Sequence, residues 1–234
     1  DPQEKLFLQT AWHTIEDAGY TREKLNALSE GHVGVYVVSM YQEYQLFNSE
    51  QALLGNPIVV GGSAASIANR VSYFLNLKGP SLTLDTMCSS ALTSIYLACQ
   101  DLVKGKCKMA IAGGVNVSVH PNKYLILSYE NFLSSDGLCK SFGAGGDGYV
   151  PAEGVGAVLL KPLSSAIKDG DLVYGVIKGV DINHGGKAAG FTVPSANAQA
   201  EVIRSVIEQS RLSQGEISYI EAHGTGTSLG DPIE

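Results

Sequence analysis

The sequence predicts a layered α/β fold, and three observations carry the prediction. Short apolar runs of strand length alternate with longer stretches of helical period. Hydrophobic residues make up 44% of the 234-residue chain and charged residues 17%, a composition that suits a buried core. No short-period repeat is present that would turn the alternation into a solenoid.

The elements follow in order. Asp1-Pro2 is an N-cap followed by proline at the first helical position. Leu6, Ala11, Trp12, Ile15 and Ala18 then recur at helical spacing until Gly19 closes the helix. A helix that opens at the first residue reads as a chain cut at that point. Residues 33–38 form a buried strand. Within the glycine- and alanine-rich stretch 56–77, Ala64, Ala65, Ile67, Ala68, Val71, Phe74 and Leu75 make a close-packing helical face. Residues 81–85 are a strand and 91–103 a helix with Leu92, Ile95, Cys99 and Leu102 on one stripe. Residues 109–119 read as a strand broken by Gly113-Gly114, and 140–156 as a glycine-rich loop. Strands are expected at 155–160, 173–180 and 217–222, with an amphipathic helix at 197–209 between the last two. Asp231-Pro232 looks like the opening of a further helix.

Composition excludes several classes of function. A net charge of -7 without any lysine or arginine block argues against a nucleic-acid surface. No apolar run reaches ~18 residues, so no membrane span is expected, and no secretory leader opens the chain. The four cysteines, 88, 99, 107 and 139, contain no Cys-x-x-Cys pair, so no metal site is expected. Cys99, Cys107 and Cys139 read as core packing, and reduced thiols fit a cytoplasmic protein. Neither Gly113-Gly114 nor the glycines of 143–148 carry the ending of a phosphate loop.

Cys88 is the residue with the clearest chemistry. It stands where an apolar strand gives way to a helix, and the first turn of a helix presents unpaired N–H groups and partial positive charge. Both favour thiolate over thiol. A base is available far along the chain at His223, at the mouth of a loop where Gly224 and Gly226 let backbone approach a ligand. Thr225 and Thr227 add hydroxyls to that loop. The sequence gap is no obstacle, because nucleophile and base need only meet in space. His13, His32 and His120 have no such context, His184 and Glu153 read as structural, and Met87 is open between ligand, partner and core contacts.

Four segments carry a resemblance: Gly79-Pro-Ser-Leu-Thr-Leu-Asp-Thr-Met-Cys-Ser-Ser-Ala-Leu, Asp147-Gly-Tyr-Val-Pro-Ala-Glu-Gly, Glu221-Ala-His-Gly-Thr-Gly-Thr-Ser-Leu-Gly-Asp-Pro-Ile-Glu, and the opening Asp1-Pro-Gln. Together they resemble the ketosynthase (beta-ketoacyl synthase) domain of modular polyketide synthases, within the thiolase-like condensing enzymes. Asn183-His-Gly-Gly-Lys and Phe191-Thr-Val-Pro-Ser-Ala-Asn-Ala-Gln look more like modular synthases than stand-alone fatty-acid enzymes, and particularly like those served by a separate acyltransferase.

The resemblance implies a thiolase-like layered α/β/α/β/α fold, truncated at both ends. About 1–165 would be most of its N-terminal half and about 166–234 the start of the C-terminal half. It implies that Cys88 accepts an acyl chain from an acyl carrier protein and that a malonyl-type extender then loses carbon dioxide and attacks the thioester. His223 matches one of two family histidines that stabilise the enolate, and Thr225 and Thr227 match positions that hydrogen-bond the phosphopantetheine arm. No cofactor would be bound tightly, since phosphopantetheine arrives on the carrier. The expected partners are the carrier protein, a second copy in a homodimer and other domains of the same synthase. The second family histidine, a nearby lysine and an oxyanion-hole glycine loop lie downstream of Glu234, so the piece alone is expected to be inactive. Alternatives are a non-elongating ketosynthase that only transfers acyl chains, a non-catalytic dimerisation segment, and a cysteine hydrolase, which lacks a recognisable third orienting group. Phe142-Gly-Ala-Gly-Gly-Asp also departs from the family, which more often has further acidic residues there.

Overall fold

A computed structural model describes residues 1–234 apart from 189 and 191. Phe191, at the head of one of the matching segments, therefore lies outside the described residues. The chain forms two compact units, Asp1–Lys123 with Glu153–Val176, and Tyr124–Ala152 with Ile177–Glu234.

The first unit holds the sheet. Strands β1 (Val33–Val38), β2 (Ser81–Leu84), β3 (Met109–Asn116) and β4 (Gly154–Leu160) are ordered β2-β1-β3-β4. The first three run parallel and β4 is antiparallel to β3. Side chains alternate across the pleat. Val33, Val35, Val37, Met109 and Ile111 point into one core, shared with helices α1 (Pro2–Asp17) and α4 (Ala64–Leu75). Tyr36, Ala110 and Ala112 point the other way, into a smaller core with Ala98 of helix α5 (Ser90–Val103). The sheet is thus covered on both faces, as parallel strands require.

The glycine pair does not interrupt β3, which runs unbroken through Gly113 and Gly114. A Cβ on Gly113 would stand 2.2 Å from the Gly156 carbonyl oxygen, so glycine here lets β4 come close rather than ending the strand.

Helical faces are rotated from the expected ones. In α1 the buried stripe is Gln3, Phe7, Ala11 and Ile15, while Trp12 is 38% exposed and meets Phe74 edge-on. Asp1 caps the helix by accepting the Gln3 N–H at 2.8 Å. Buried Gln3 is bonded at both ends of its amide, donating to the Tyr41 carbonyl at 2.8 Å and accepting the Val117 N–H at 3.0 Å. In α5 the deepest residues are Ser94 and Ala98, and Leu92 is 69% exposed. Small residues let this helix close on Ala110 and Ala112, whereas Ile95 and Leu102 pack only half-buried and Cys99 is half-buried.

Short helices that periodicity did not mark also appear: α2 (Arg22–Ser29), α3 (Leu46–Leu53), α6 (Asn122–Tyr129) and α7 (Leu163–Asp169). With only about two turns each, they are too short for a helical period to stand out. Beyond β4, Lys161 anchors α7 to the end of α1. Its ammonium donates to Asp169 and Asp171 at 2.6 Å each and to the Tyr20 hydroxyl at 2.9 Å.

The second unit contains helix α8 (Ala196–Ser210), a 3-10 turn (Gln214–Glu216) and a short helix α9 (Gly230–Ile233). Two expected strands are not strands. In 173–180 and 217–222 no ladder partner is found among the described residues. The stretch after Ile177 is bonded to α8 instead: Val180 N–H to Gln209 at 3.4 Å, Ser205 to Asp181 at 2.5 Å, and Asn183 to the Ala198 carbonyl at 2.8 Å. Tyr219 and Ile220 are exposed. Apolar character suits both segments to a sheet, but a strand also needs a neighbour to complete its ladder.

Candidate active site

In the first unit, β2 turns sharply into α5 through Asp85-Thr86-Met87-Cys88-Ser89. Cys88 is exposed and directly precedes the N-cap, Ser89. The turn demands a left-handed backbone at Met87, φ 59°, a conformation that costs a side-chain-bearing residue ~1–2 kcal/mol. Surrounding bonds hold it there. Met87 N–H donates to the Asp85 carboxylate at 2.7 Å, and the Thr86 N–H donates to the Ser90 hydroxyl at 2.7 Å. Ser90, which is buried, donates in turn to the Met87 carbonyl at 2.6 Å. Thr86 shares hydroxyl contacts with Ser89 at 2.9 Å and Thr93 at 3.1 Å. The run Cys-Ser-Ser-Ala thus supplies an exposed sulfur and, two residues on, the hydroxyl that fastens the turn. Met87 itself is 60% exposed, which removes core packing from its readings.

In the second unit, residues 223–229 form a loop that leads into α9. His223 is exposed; Thr225 and Thr227 are half-buried and share a hydrogen bond at 3.0 Å. The Gly230 N–H occupies one Thr227 lone pair at 3.1 Å. Thr227 can therefore donate to Thr225 and leave the Thr225 proton for a ligand. The loop is gripped by two carboxylates. Glu234 accepts the N–H groups of His223 at 2.7 Å and Gly224 at 2.9 Å. Asp231 accepts the Gly226 N–H at 3.0 Å and the Phe142 N–H at 2.6 Å.

Residues 138–147 form the other wall. Gly226, φ 71°, is buried against it, and a Cβ on Gly146 would stand 2.5 Å from the Gly226 oxygen. Asp136 pins the base of this wall. A hydrogen bond from Lys140 at 2.6 Å, with help from Ser134 and the Leu138 N–H, holds its carboxyl down at about 2. Cys139 is exposed, not core, with its sulfur 3.5 Å from the Thr225 carbonyl oxygen. It sits in a loop folded around another loop's backbone, and neither hydrophobic cluster of the described residues includes it. A cleft of about 390 Å3 opens here, lined by Phe142, Gly143, Gly146, Gly226, Thr227 and Asp231. Sequence reasoning missed Glu234, Asp231 and Ser90 as supports of these loops; two lie in the matching Gly-Asp-Pro-Ile-Glu ending and the third in Cys-Ser-Ser-Ala. No cluster of metal-ligating side chains occurs among the described residues.

Comparison with known proteins decides the family. The beta-ketoacyl synthase N-terminal domain family matches residues 1–166, and its C-terminal counterpart matches 174–234. The chain belongs to the beta-ketoacyl synthase family. It is 60% identical over 238 residues to polyketide synthase PksL of Bacillus subtilis and 59% identical over 234 residues to ThaG of Burkholderia thailandensis. The whole chain takes part, yet it spans only 5% and 4% of those two synthases. Among solved structures it is similar to the oxazolomycin ketosynthase domain OzmH KS7 of Streptomyces albus, with TM-score 0.96 and 54% identity, and to the module 6 ketosynthase of the Bacillus subtilis bacillaene synthase, with 0.91 and 43%. It covers 40% and 39% of those chains. The fold is accordingly the thiolase-like α/β fold of ketosynthase domains. No helix among the described residues is long and apolar enough to cross a membrane.

Proposed function

We propose that this chain contributes the nucleophile and one enolate-stabilising histidine to a beta-ketoacyl synthase of a polyketide synthase. The observation that carries the proposal is an exposed cysteine at a bonded strand–helix turn, in a chain that matches ketosynthases along its whole length. The Cys88 thiolate attacks the thioester carbonyl of an acyl carrier, and the phosphopantetheine thiolate leaves. Cysteine suits this exchange because it is a soft nucleophile and a competent leaving group. The Cys88 backbone N–H would serve as one donor to the oxyanion, a contact whose loss costs ~2.7–4 kcal/mol in other enzymes.

A malonyl-type extender on a second carrier then releases carbon dioxide, and the electron pair of the broken bond becomes an enolate. His223, as a neutral imidazole N–H donor, stabilises the enolate oxygen. The enolate carbon attacks the Cys88 thioester, the thiolate is expelled, and a β-ketoacyl carrier results. Thr225 would donate to the pantetheine arm, with Thr227 behind it. Phosphopantetheine is thus a visitor on the carrier protein rather than a resident cofactor. For the second copy we propose pairing at β2, which ends the sheet and leaves one side of its backbone without a ladder neighbour among the described residues.

The test uses the intact ketosynthase domain that contains this chain, with acyl and malonyl carriers. His223→Ala is expected to keep acylation of Cys88 and to lose carbon dioxide release. Undiminished release in that variant contradicts the role given to His223. A wild-type domain that acylates but never forms the carbon–carbon bond would favour the transfer-only alternative.

A further inference from the structure

We propose that Ser141 is a positioning residue for His223, acting through the Gly224 peptide. The proposal rests on the reading of His223 as the decarboxylation donor. Gly224, φ 52°, follows His223 directly, and glycine has the widest backbone freedom of any residue. Its two peptide groups are tied on opposite sides. The Gly224 N–H donates to Glu234 at 2.9 Å, and the Gly224 carbonyl accepts the Ser141 hydroxyl. The other contact to that carbonyl among the described residues is the Cys139 thiol at 3.9 Å, a weak donor at long range.

Ser141 is itself held in place. The next residue, Phe142, takes a left-handed φ of 55° and donates its N–H to Asp231 at 2.6 Å. Asp231 also accepts the Gly226 N–H at 3.0 Å, so the serine and the loop it touches share one carboxylate clamp. A Cβ on Gly224 would lie 3.1 Å from the Phe142 ring and 3.4 Å from the Ser141 Cβ, which leaves the peptide little room on that side. The Ser141 hydroxyl thus holds the Gly224–Thr225 peptide, while Glu234 holds the His223–Gly224 peptide that directly follows the imidazole-bearing residue. No resemblance assigns this position a role, and the serine is exposed, away from the buried core.

The experiment compares wild-type, Ser141→Ala and Ser141→Thr forms of the intact domain. Acylation of Cys88 by an acyl-pantetheine thioester and carbon dioxide release from a malonyl carrier are measured separately. Losing one hydrogen bond to a preorganised loop predicts a fall in decarboxylation kcat of about three- to tenfold in Ser141→Ala. Acylation and the KM for the malonyl carrier should stay within about twofold, and Ser141→Thr, which keeps the hydroxyl, should recover most of the rate. Wild-type decarboxylation in Ser141→Ala overturns the proposal, as does a parallel loss of acylation and decarboxylation, or failure of threonine to restore the rate. Decarboxylation that survives His223→Ala instead overturns the underlying reading, so the two failures are separate.

Discussion

Replacing Ser90 by alanine should loosen the turn that presents Cys88, and the structure gives the size of the effect. The buried hydroxyl accepts the Thr86 N–H at 2.7 Å and donates to the Met87 carbonyl at 2.6 Å. Each such bond is worth about 0.5–1.5 kcal/mol net, and a donor left without a partner costs ~1–3 kcal/mol. The Met87 carbonyl keeps a second donor, the Ser90 N–H at 3.1 Å, so the main loss falls on Thr86. A destabilisation of about 2–3 kcal/mol follows, which lowers Tm by ~2 °C in an intact domain more than twice the length of this chain. The left-handed Met87 also loses one of its restraints, so Cys88 acylation should slow by ~5- to 50-fold. Thermal unfolding and acylation of the intact domain read out the two effects. A Tm shift below about 1 °C together with unchanged acylation would refute the idea that this hydroxyl builds the nucleophile's turn.

Gly146→Ala would drive a methyl to 2.5 Å from the Gly226 oxygen, so the facing loops must part; a stability loss of ~1–3 kcal/mol and faster proteolysis between residues 138 and 147 are expected. Gln3→Leu removes both bonds of a buried amide and leaves the Val117 N–H without its acceptor, which should cost ~2–4 kcal/mol by denaturant unfolding. Lys161→Met gives a pH signature. Burial would lower the Lys161 ammonium, but its bonds to Asp169, Asp171 and Tyr20 outweigh it and raise it; burial would raise Asp171, but Lys161 and Tyr20 lower it. The raised lysine contributes fully below its unfolded value of ~10.4 and loses this as pH rises through its folded value. The lowered aspartate contributes above ~3.9 and loses this as pH falls. The stability gap between wild type and variant should therefore be flat from about pH 5 to 10, near ~3 kcal/mol, and narrow on both sides. A gap unchanged at the extremes would remove the ion pairs as its cause.

Which features the sequence disclosed follows from where their bonding partners lie. The strand over Val33–Val38 and the helix capped by Asp1 were legible because cap, period and burial are local signals. The strand–helix turn at Cys88 was legible for the same reason. The misplaced stripes on α1 and α5 arose because Trp12 and Leu92 are apolar yet sit at the edge, while Gln3, Ser90 and Ser94 are polar yet buried and bonded. Hydrophobicity cannot report a polar group whose partner comes from another element. The glycine pair in β3 misled because glycine marks both breaks and close approaches, and only the β4 neighbour decides between them. The stretches 173–180 and 217–222 had strand composition, but composition is silent about a ladder partner. In the loop after Ala222, the His-Gly-Thr-Gly-Thr run is visible in the sequence as a motif. Ser141 and Asp231 were not legible, since their work is done on backbone groups far away in sequence.

The most direct trial of the central claim is to incubate the intact domain with an acyl-pantetheine thioester and map the mass increase by peptide. Two cysteines of this chain are exposed, 88 and 139, so the chain holds its own control. The account predicts one acyl group on Cys88 and none in Cys88→Ala. An adduct on Cys139, or acylation that persists without the Cys88 sulfur, would contradict it.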